Sequence, residues 1–247
     1  MPCYDVYLEI GTAGECMAHV LDLLGCFVRA NSREEALAAL PDAIRAYHAW
    51  LRQHGENVPV PTEPISLQVV ETSTGFVPFW RGSRAALFAP DRVPVSRDEM
   101  EIHFRRAAYS RADLLVLVRG LADEILDWKA NQESMSIREI LHHIGNAEEW
   151  YVSRLVNPET LPPEWEHDED LPIFEFLEME RRTALDRLRR LTDRELADVF
   201  YPTYRTNYPD EPWTARKVLR RFLEHEREHT THVRETLIIF ESKEGAL

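Results

Sequence analysis

From Tyr4 to Ile10 apolar and polar positions alternate, with Tyr4, Val6, Leu8 and Ile10 set against Asp5, Tyr7 and Glu9. A period of two predicts a strand with one buried face. Gly11-Thr12-Ala13-Gly14 supplies a hairpin turn, residues 15–21 read as the returning strand, and 26–29 as a third. The period then lengthens. Ser32 with Glu35 three residues on is a capping box. Ala36, Leu37, Leu40, Ile44, Tyr47 and Leu51 then share one helical side as far as about Gln53, and Gly55 stops the helix. Pro41 is expected to kink this helix or begin a second segment. Residues 65–71 form a fourth strand, so 1–72 is a small β-β-β-α-β domain. Residues 73–96 carry Pro78, Pro90, Pro94 and two glycines. They read as a linker, with Phe76, Phe79, Trp80 and Phe88 available to pack on something.

Beyond about residue 97 every regular segment has helical spacing. One helix is expected over about 98–127, with Phe104, Leu114, Leu117, Leu121 and Ile125 in register. A second, over about 136–156, opens on Ser136 with Glu139 three residues later. A third spans about 172–192 on Phe174, Leu177, Leu185 and Leu188, and a fourth runs from Thr214 to about 241. Four amphipathic helices of this length predict an all-α four-helix bundle over 97–247. The connections 157–171 and 193–213 are too long for a tight up-down bundle. The whole chain is therefore expected to be α+β in two domains. Ser136-Ile137-Arg138-Glu139-Ile140-Leu141 matches Thr214-Ala215-Arg216-Lys217-Val218-Leu219 in residue type, a short echo that gives helices two and four similar openings.

Charge and cysteine content narrow the function. The net charge of −14 disfavours sequence-blind nucleic-acid binding, which depends on neutralising phosphates, and disfavours docking on anionic membranes. Nucleic acid and membrane are thus not expected as partners. No apolar run is long enough to span a bilayer, and the start of the chain lacks the basic region of a signal peptide. Cys3, Cys16 and Cys26 are three unclustered cysteines with no CxxC. They point to a reducing, cytoplasmic compartment and away from thiolate zinc.

The histidines carry the candidate chemistry. His225, His229 and His232 fall within roughly 60° of helical arc, on the face shared by Val218, Phe222 and Val233. Imidazoles on a core face need partners. The nearby glutamates could supply them, or a metal could, since i and i+4 histidines can aim nitrogens at one ion. On the second helix, His142 lies almost opposite the stripe of Ile137, Ile140, Ile144, Tyr151 and Leu155 and should be solvated. His143 lies on its flank, beside Ala147 and Trp150, and is the better third ligand. Three imidazoles leave a position for water or substrate and suit zinc, nickel, iron or copper. His232 could be an outer partner, and Tyr201, Tyr204, Tyr208 and Trp213 could line a pocket or simply pack on the bundle. Arg181-Arg182 and Arg189-Arg190 read as a solvated helix face.

Ser136-Ile137-Arg138-Glu139-Ile140-Leu141-His142-His143-Ile144 resembles the second helix of the DinB-like (YfiT-like) metalloenzyme family, and His225 to Val233 resembles its fourth-helix H-x-x-x-H-x-x-[QH]-[IV]. The resemblance covers about 97–241. It implies a four-helix bundle, often dimeric, with a divalent metal on His143, His225 and His229. Some relatives are thiol-dependent S-transferases that use a low-molecular-weight thiol as cosubstrate against a small-molecule substrate. A rival string is present, because His225-Glu226-Arg227-Glu228-His229 is literally H-E-x-x-H, in which Glu226 would be a general base. Little chain follows it for a further ligand, although Glu241 and Glu244 exist, and no glycine turn with a third histidine follows. Asp22-Leu23-Leu24-Gly25-Cys26 followed by Ser32-Arg33-Glu34-Glu35-Ala36-Leu37 is similar to the HicB-like domain, over about 4–72. That family includes antitoxins that bind an RNA-cleaving toxin, often with a DNA-binding segment attached. None is recognisable here, so the resemblance implies an interaction or dimerisation module, or a wall over the metal site. In the non-catalytic version of the protein the metal or ligand stabilises the bundle and this module contacts a partner. Cys26 is expected to be a packed small residue.

Overall fold

The computed structural model describes residues 1–76, 84–155 and 171–244. Phe79, Trp80 and residues 157–170 of the first long connection lie outside these, as do the side chains of Phe76 and Glu244. The chain divides into two compact units, Met1–Val93 and Pro94–Leu247.

The first unit holds a four-stranded sheet of order β3-β2-β1-β4. Its strands are β1 (Cys3–Gly11), β2 (Cys16–Val20), β3 (Cys26–Ala30) and β4 (Ser66–Phe76). β1 pairs antiparallel with β2 and parallel with β4, with register shifts after Val6 and Ile10. The parallel pairing is possible because helix α1 (Arg33–Gln53) makes the crossover. Ser32 Oγ accepts from the Glu35 amide, as the cap requires, while Glu35 reaches back to the Asn31 amide rather than to Ser32 itself. Pro41 does not break the helix. It removes one backbone donor, and the buried side chains on either side of it, Leu40 and Ile44, keep the helix on the sheet.

Two expectations need correcting here. Strand β4 runs on to Phe76, so the linker is shorter than its composition suggested. The sheet also has no clean polar face. Phe88 is fully buried against Tyr7 and Leu21, with its ring 5.3 Å from Tyr7 and 5.6 Å from His19. The 84–92 segment thereby covers Glu9 and His19, which form a buried pair at 3.3 Å. Alternation alone places Glu9 in water because it cannot see a covering segment almost eighty residues away.

The second unit is helical: α2 (Arg97–Val118), short α3 (Asp123–Leu126), α4 (Ile137–Val152), α5 (Ile173–Arg189), short α6 (Asp193–Ala197) and α7 (Ala215–Glu244). The four long helices form the bundle, with α4 against both α5 and α7, and α2 against α7. The first predicted helix is in fact two. Gly120 takes φ +86°, a left-handed conformation that ends α2, so Leu121 and Ile125 belong to the next turn of chain. Elsewhere the caps hold. Ser136 and Glu139 form a reciprocal box, and Thr214 Oγ1 accepts from the Lys217 amide. Thr192 and Glu195 form another box at α6, a helix of five residues too short for a periodic signal. No described helix is long and apolar enough to cross a membrane.

Candidate metal centre

Two helices supply the site. On α4, Ile137, Ile140, Ile144 and Tyr151 are buried as their spacing requires, which leaves His143 on the flank and exposed. On α7, Val218, Phe222 and Val233 are buried, which turns His225 and His229 towards α4. The ligand atoms of His143, His225 and His229 lie within 4.8 Å of one another. The three ring centroids are 4.4–4.8 Å apart, and His143 Nε2 is 3.1 Å from His225 Nε2. Two nitrogens each bonded to a tetrahedral zinc lie roughly 3.3 Å apart, so the donor set fits a divalent ion with little movement. Desolvation by the surrounding protein holds His143 below the ordinary histidine pKa, which favours the neutral, lone-pair-bearing ring that ligation needs.

The residues around the triad differ in what they do. His232 Nδ1 is 3.2 Å from His229 Nδ1, a contact that can orient the His229 ring. His142 is not solvated. Its ring sits 4.9 Å from Phe176 of α5, half-buried, and takes no part in the triad. The pre-α7 loop contributes one aromatic near the site. Trp213 is buried, its ring 6.0 Å from Tyr151, and Tyr151 in turn is 5.8 Å from His225. Trp150 stacks edge-on to Trp213 at 5.3 Å and donates from Nε1 to the Arg205 carbonyl at 2.9 Å. Tyr201 faces solvent, and Tyr204 offers its carbonyl to Arg154. Burial raises the Tyr151 phenol above its usual value, with Arg221 opposing, so it remains a protonated donor beside the histidines.

Glu226 is the residue whose position decides the H-E-x-x-H question. It is 1% exposed. Its Oε2 accepts from Arg111 Nε at 2.6 Å and from Arg181 Nη2 at 2.9 Å. Burial would raise its pKa, but these two guanidinium groups outweigh that and hold it lowered. A carboxylate held this way is a poor proton acceptor, and it is bound to α2 and α5 rather than free to face a substrate. The string matches by letter only. Arg181 is the accompanying correction. It was expected in a solvated face, yet its side chain is 11% exposed and also grips Glu148. Sequence reasoning passed over Arg111 and Glu148 altogether. The signal was available, because Arg111 falls in the stripe of Ala107, Leu114 and Val118, and Glu148 in that of Leu141, Ile144 and Val152. Charged residues on apolar stripes are worth pairing across helices before being assigned to solvent. Cys16 and Cys26 are buried, and desolvation pushes the Cys16 thiol up to about 11, which disfavours its thiolate.

Taken together, the unit is a helical bundle with a three-histidine, metal-type centre between two of its long helices. Residues 106–233 match the model of the DinB superfamily, and the chain belongs to that superfamily. Over 56 residues it is 36% identical to UPF0150 protein Ta0767 of Thermoplasma acidophilum, a match covering 23% of this chain and 81% of that protein. Among solved structures it is similar to YfiT from Bacillus subtilis, described as a probable metal-dependent hydrolase with an unusual four-helix bundle topology. That similarity has a TM-score of 0.44 at 18% identity and covers 62% of this chain and 91% of the other.

Proposed function

We propose that this protein is a divalent-metal-dependent enzyme acting on small electrophiles, with a low-molecular-weight thiol as cosubstrate. The observation that carries the reading is the convergence of His143, His225 and His229 from two helices at a site where His143 is exposed. Three protein ligands at an open edge suit a catalytic centre better than a closed structural one. An ion bound there supplies Lewis acidity and lowers the pKa of a thiol or water beside it. The chain's own groups do the rest. His232 can orient the ring of His229 through its Nδ1 contact. Tyr151 packs beside His225, with Trp213 and Trp150 behind it, and this aromatic backing keeps the His225 side of the site apolar. The buried carboxylate of Glu226 argues against a protease mechanism on the H-E-x-x-H string.

The test is thiol consumption with a chromogenic electrophile such as 1-chloro-2,4-dinitrobenzene, using cysteine and glutathione as probes. The protein is loaded in turn with zinc, nickel or iron, and His229→Ala serves as control. Metal-dependent thioether formation that disappears in the variant is the expected result. Metal-dependent ester hydrolysis without thiol consumption would replace the thiol by water. No turnover of either kind by fully loaded protein would contradict the enzymatic reading.

A further inference from the structure

One charged side chain from each long helix of the bundle meets at a single buried cluster. Arg111 comes from α2, Glu148 from α4, Arg181 from α5 and Glu226 from α7. Their side chains are 10%, 4%, 11% and 2% exposed. Arg111 bridges the two carboxylates, with Nη2 2.5 Å from Glu148 Oε1 and Nε 2.6 Å from Glu226 Oε2. Arg181 bridges the same pair, with Nη2 at 2.6 Å and 2.9 Å from those oxygens. Arg181 Nε also donates to Glu148, and the Nη1 groups tie the cluster to the backbone: Arg111 Nη1 reaches the Leu177 carbonyl at 2.9 Å, and Arg181 Nη1 the Ala107 carbonyl at 3.0 Å. Two positive and two negative charges cancel, so the cluster binds no further ion by charge.

Its place in the sequence gives it a role. Glu226 adjoins His225, and Glu148 lies five residues beyond His143, little more than one turn along α4. The two carboxylates therefore belong to the two helices that carry the three histidines. The two arginines hold those carboxylates at fixed separation from the opposite side of the bundle. A helix that rolls about its axis by one residue's worth, about 100°, turns a ligand away from its site. Apolar packing resists such a roll weakly, because hydrophobic contacts are non-directional. Forked, charge-assisted hydrogen bonds resist it strongly, because they are directional.

We infer that Arg111, Arg181, Glu148 and Glu226 are positioning residues that set the roll of α4 and α7 and so hold His143, His225 and His229 face to face. The inference rests on the metal reading for its purpose and on the geometry alone for its content. The glutamate of the H-E-x-x-H string thus acts on the site through its helix, by its ties to Arg111 and Arg181. Buried ionic clusters are often replaceable by apolar residues with no loss of stability, and in some proteins their role is to fix register. The consequence is a separation of folding from ligation.

The test uses the full chain, with Glu226→Gln and, as a second variant, the joint replacement Arg111→Met, Arg181→Met, Glu148→Leu and Glu226→Leu. Cobalt(II) is titrated into each while helicity is followed by circular dichroism. The expected result is a folded protein whose cobalt affinity falls about tenfold to a hundredfold, the usual effect of removing a residue that orients ligands. The ligand-field bands should also change at saturating cobalt, which a loss of stability alone would not cause. A metal-free readout runs beside it. Long-range proton–nitrogen correlation of the apo protein reports the Nε2–Nε2 contact between His143 and His225, which should be present in the parent and lost in the variants. Parent-like affinity, bands and imidazole shifts in either folded variant would overturn the inference. If the parent took up no cobalt yet the imidazole contact depended on Glu226, the metal reading would fail and the positioning role would stand.

Discussion

At the scale of single residues, His103 shows what the bundle does with an imidazole that has no ligand to share. It is 2% exposed on α2, and neither ring nitrogen has a hydrogen-bond partner. Burial, helped by Arg216 and Arg106 and opposed by Glu99, pushes its pKa down to about 3. The unfolded chain takes up a proton near 6.5 and the folded one does not. This group therefore favours the folded state above about pH 6.5, and the advantage is lost as pH falls from there towards 3. The difference between about pH 7.5 and about pH 5.5 is about 1.4 kcal/mol. Urea unfolding of parent and His103→Leu at those two pH values checks this. The variant should lose that much less stability on acidification, and equal losses would refute it. His143, by contrast, has two imidazole neighbours, His225 and His229. Helical arc puts His225 and His229 on the core face of their helix and His143 on the flank of its own, the resemblance joins the three, and the structure brings them together. Arg181 was misassigned, and Glu226 was left without partners, because the groups they bind lie on other helices, 33 to 115 residues away.

Among elements, α4 is packed with little room to spare. Gly145, two residues after His143, faces the Phe176 ring, and a Cβ built there would come within 2.3 Å of it. Gly145→Ala should therefore cost about 1–3 kcal/mol through overpacking, despite alanine's better helix propensity. It should also weaken metal uptake by shifting α4. Thermal unfolding with and without zinc measures both, and a variant as stable as the parent would contradict the packing described. The helices that read correctly, α4, α5 and α7, have strong start signals or one long apolar stripe. α2 was overrun because its stripe continues in register past Gly120, and only the left-handed turn at that glycine stops it. The sheet of the first unit was read with one face in water because Phe88, which covers the other, lies far along the chain.

At the scale of the whole molecule, His143, His225 and His229 all lie within the unit Pro94–Leu247, so the proposed metal binding would be linked to the folding of that unit. An ion that binds the folded triad and not the unfolded chain adds about 2.7 kcal/mol of stability at a hundredfold excess over its dissociation constant. The melting transition of the bundle should rise with zinc or nickel concentration in the parent and stay fixed when the ligands are removed. The most direct test of the account is the metal content of the purified protein, by plasma mass spectrometry, beside the triple variant His143→Ala, His225→Ala, His229→Ala. Close to one equivalent of a divalent metal in the parent, absent from a variant that remains helical, is the predicted result. A parent that stays empty after exposure to zinc, nickel and iron, or a variant that keeps its metal, would contradict it.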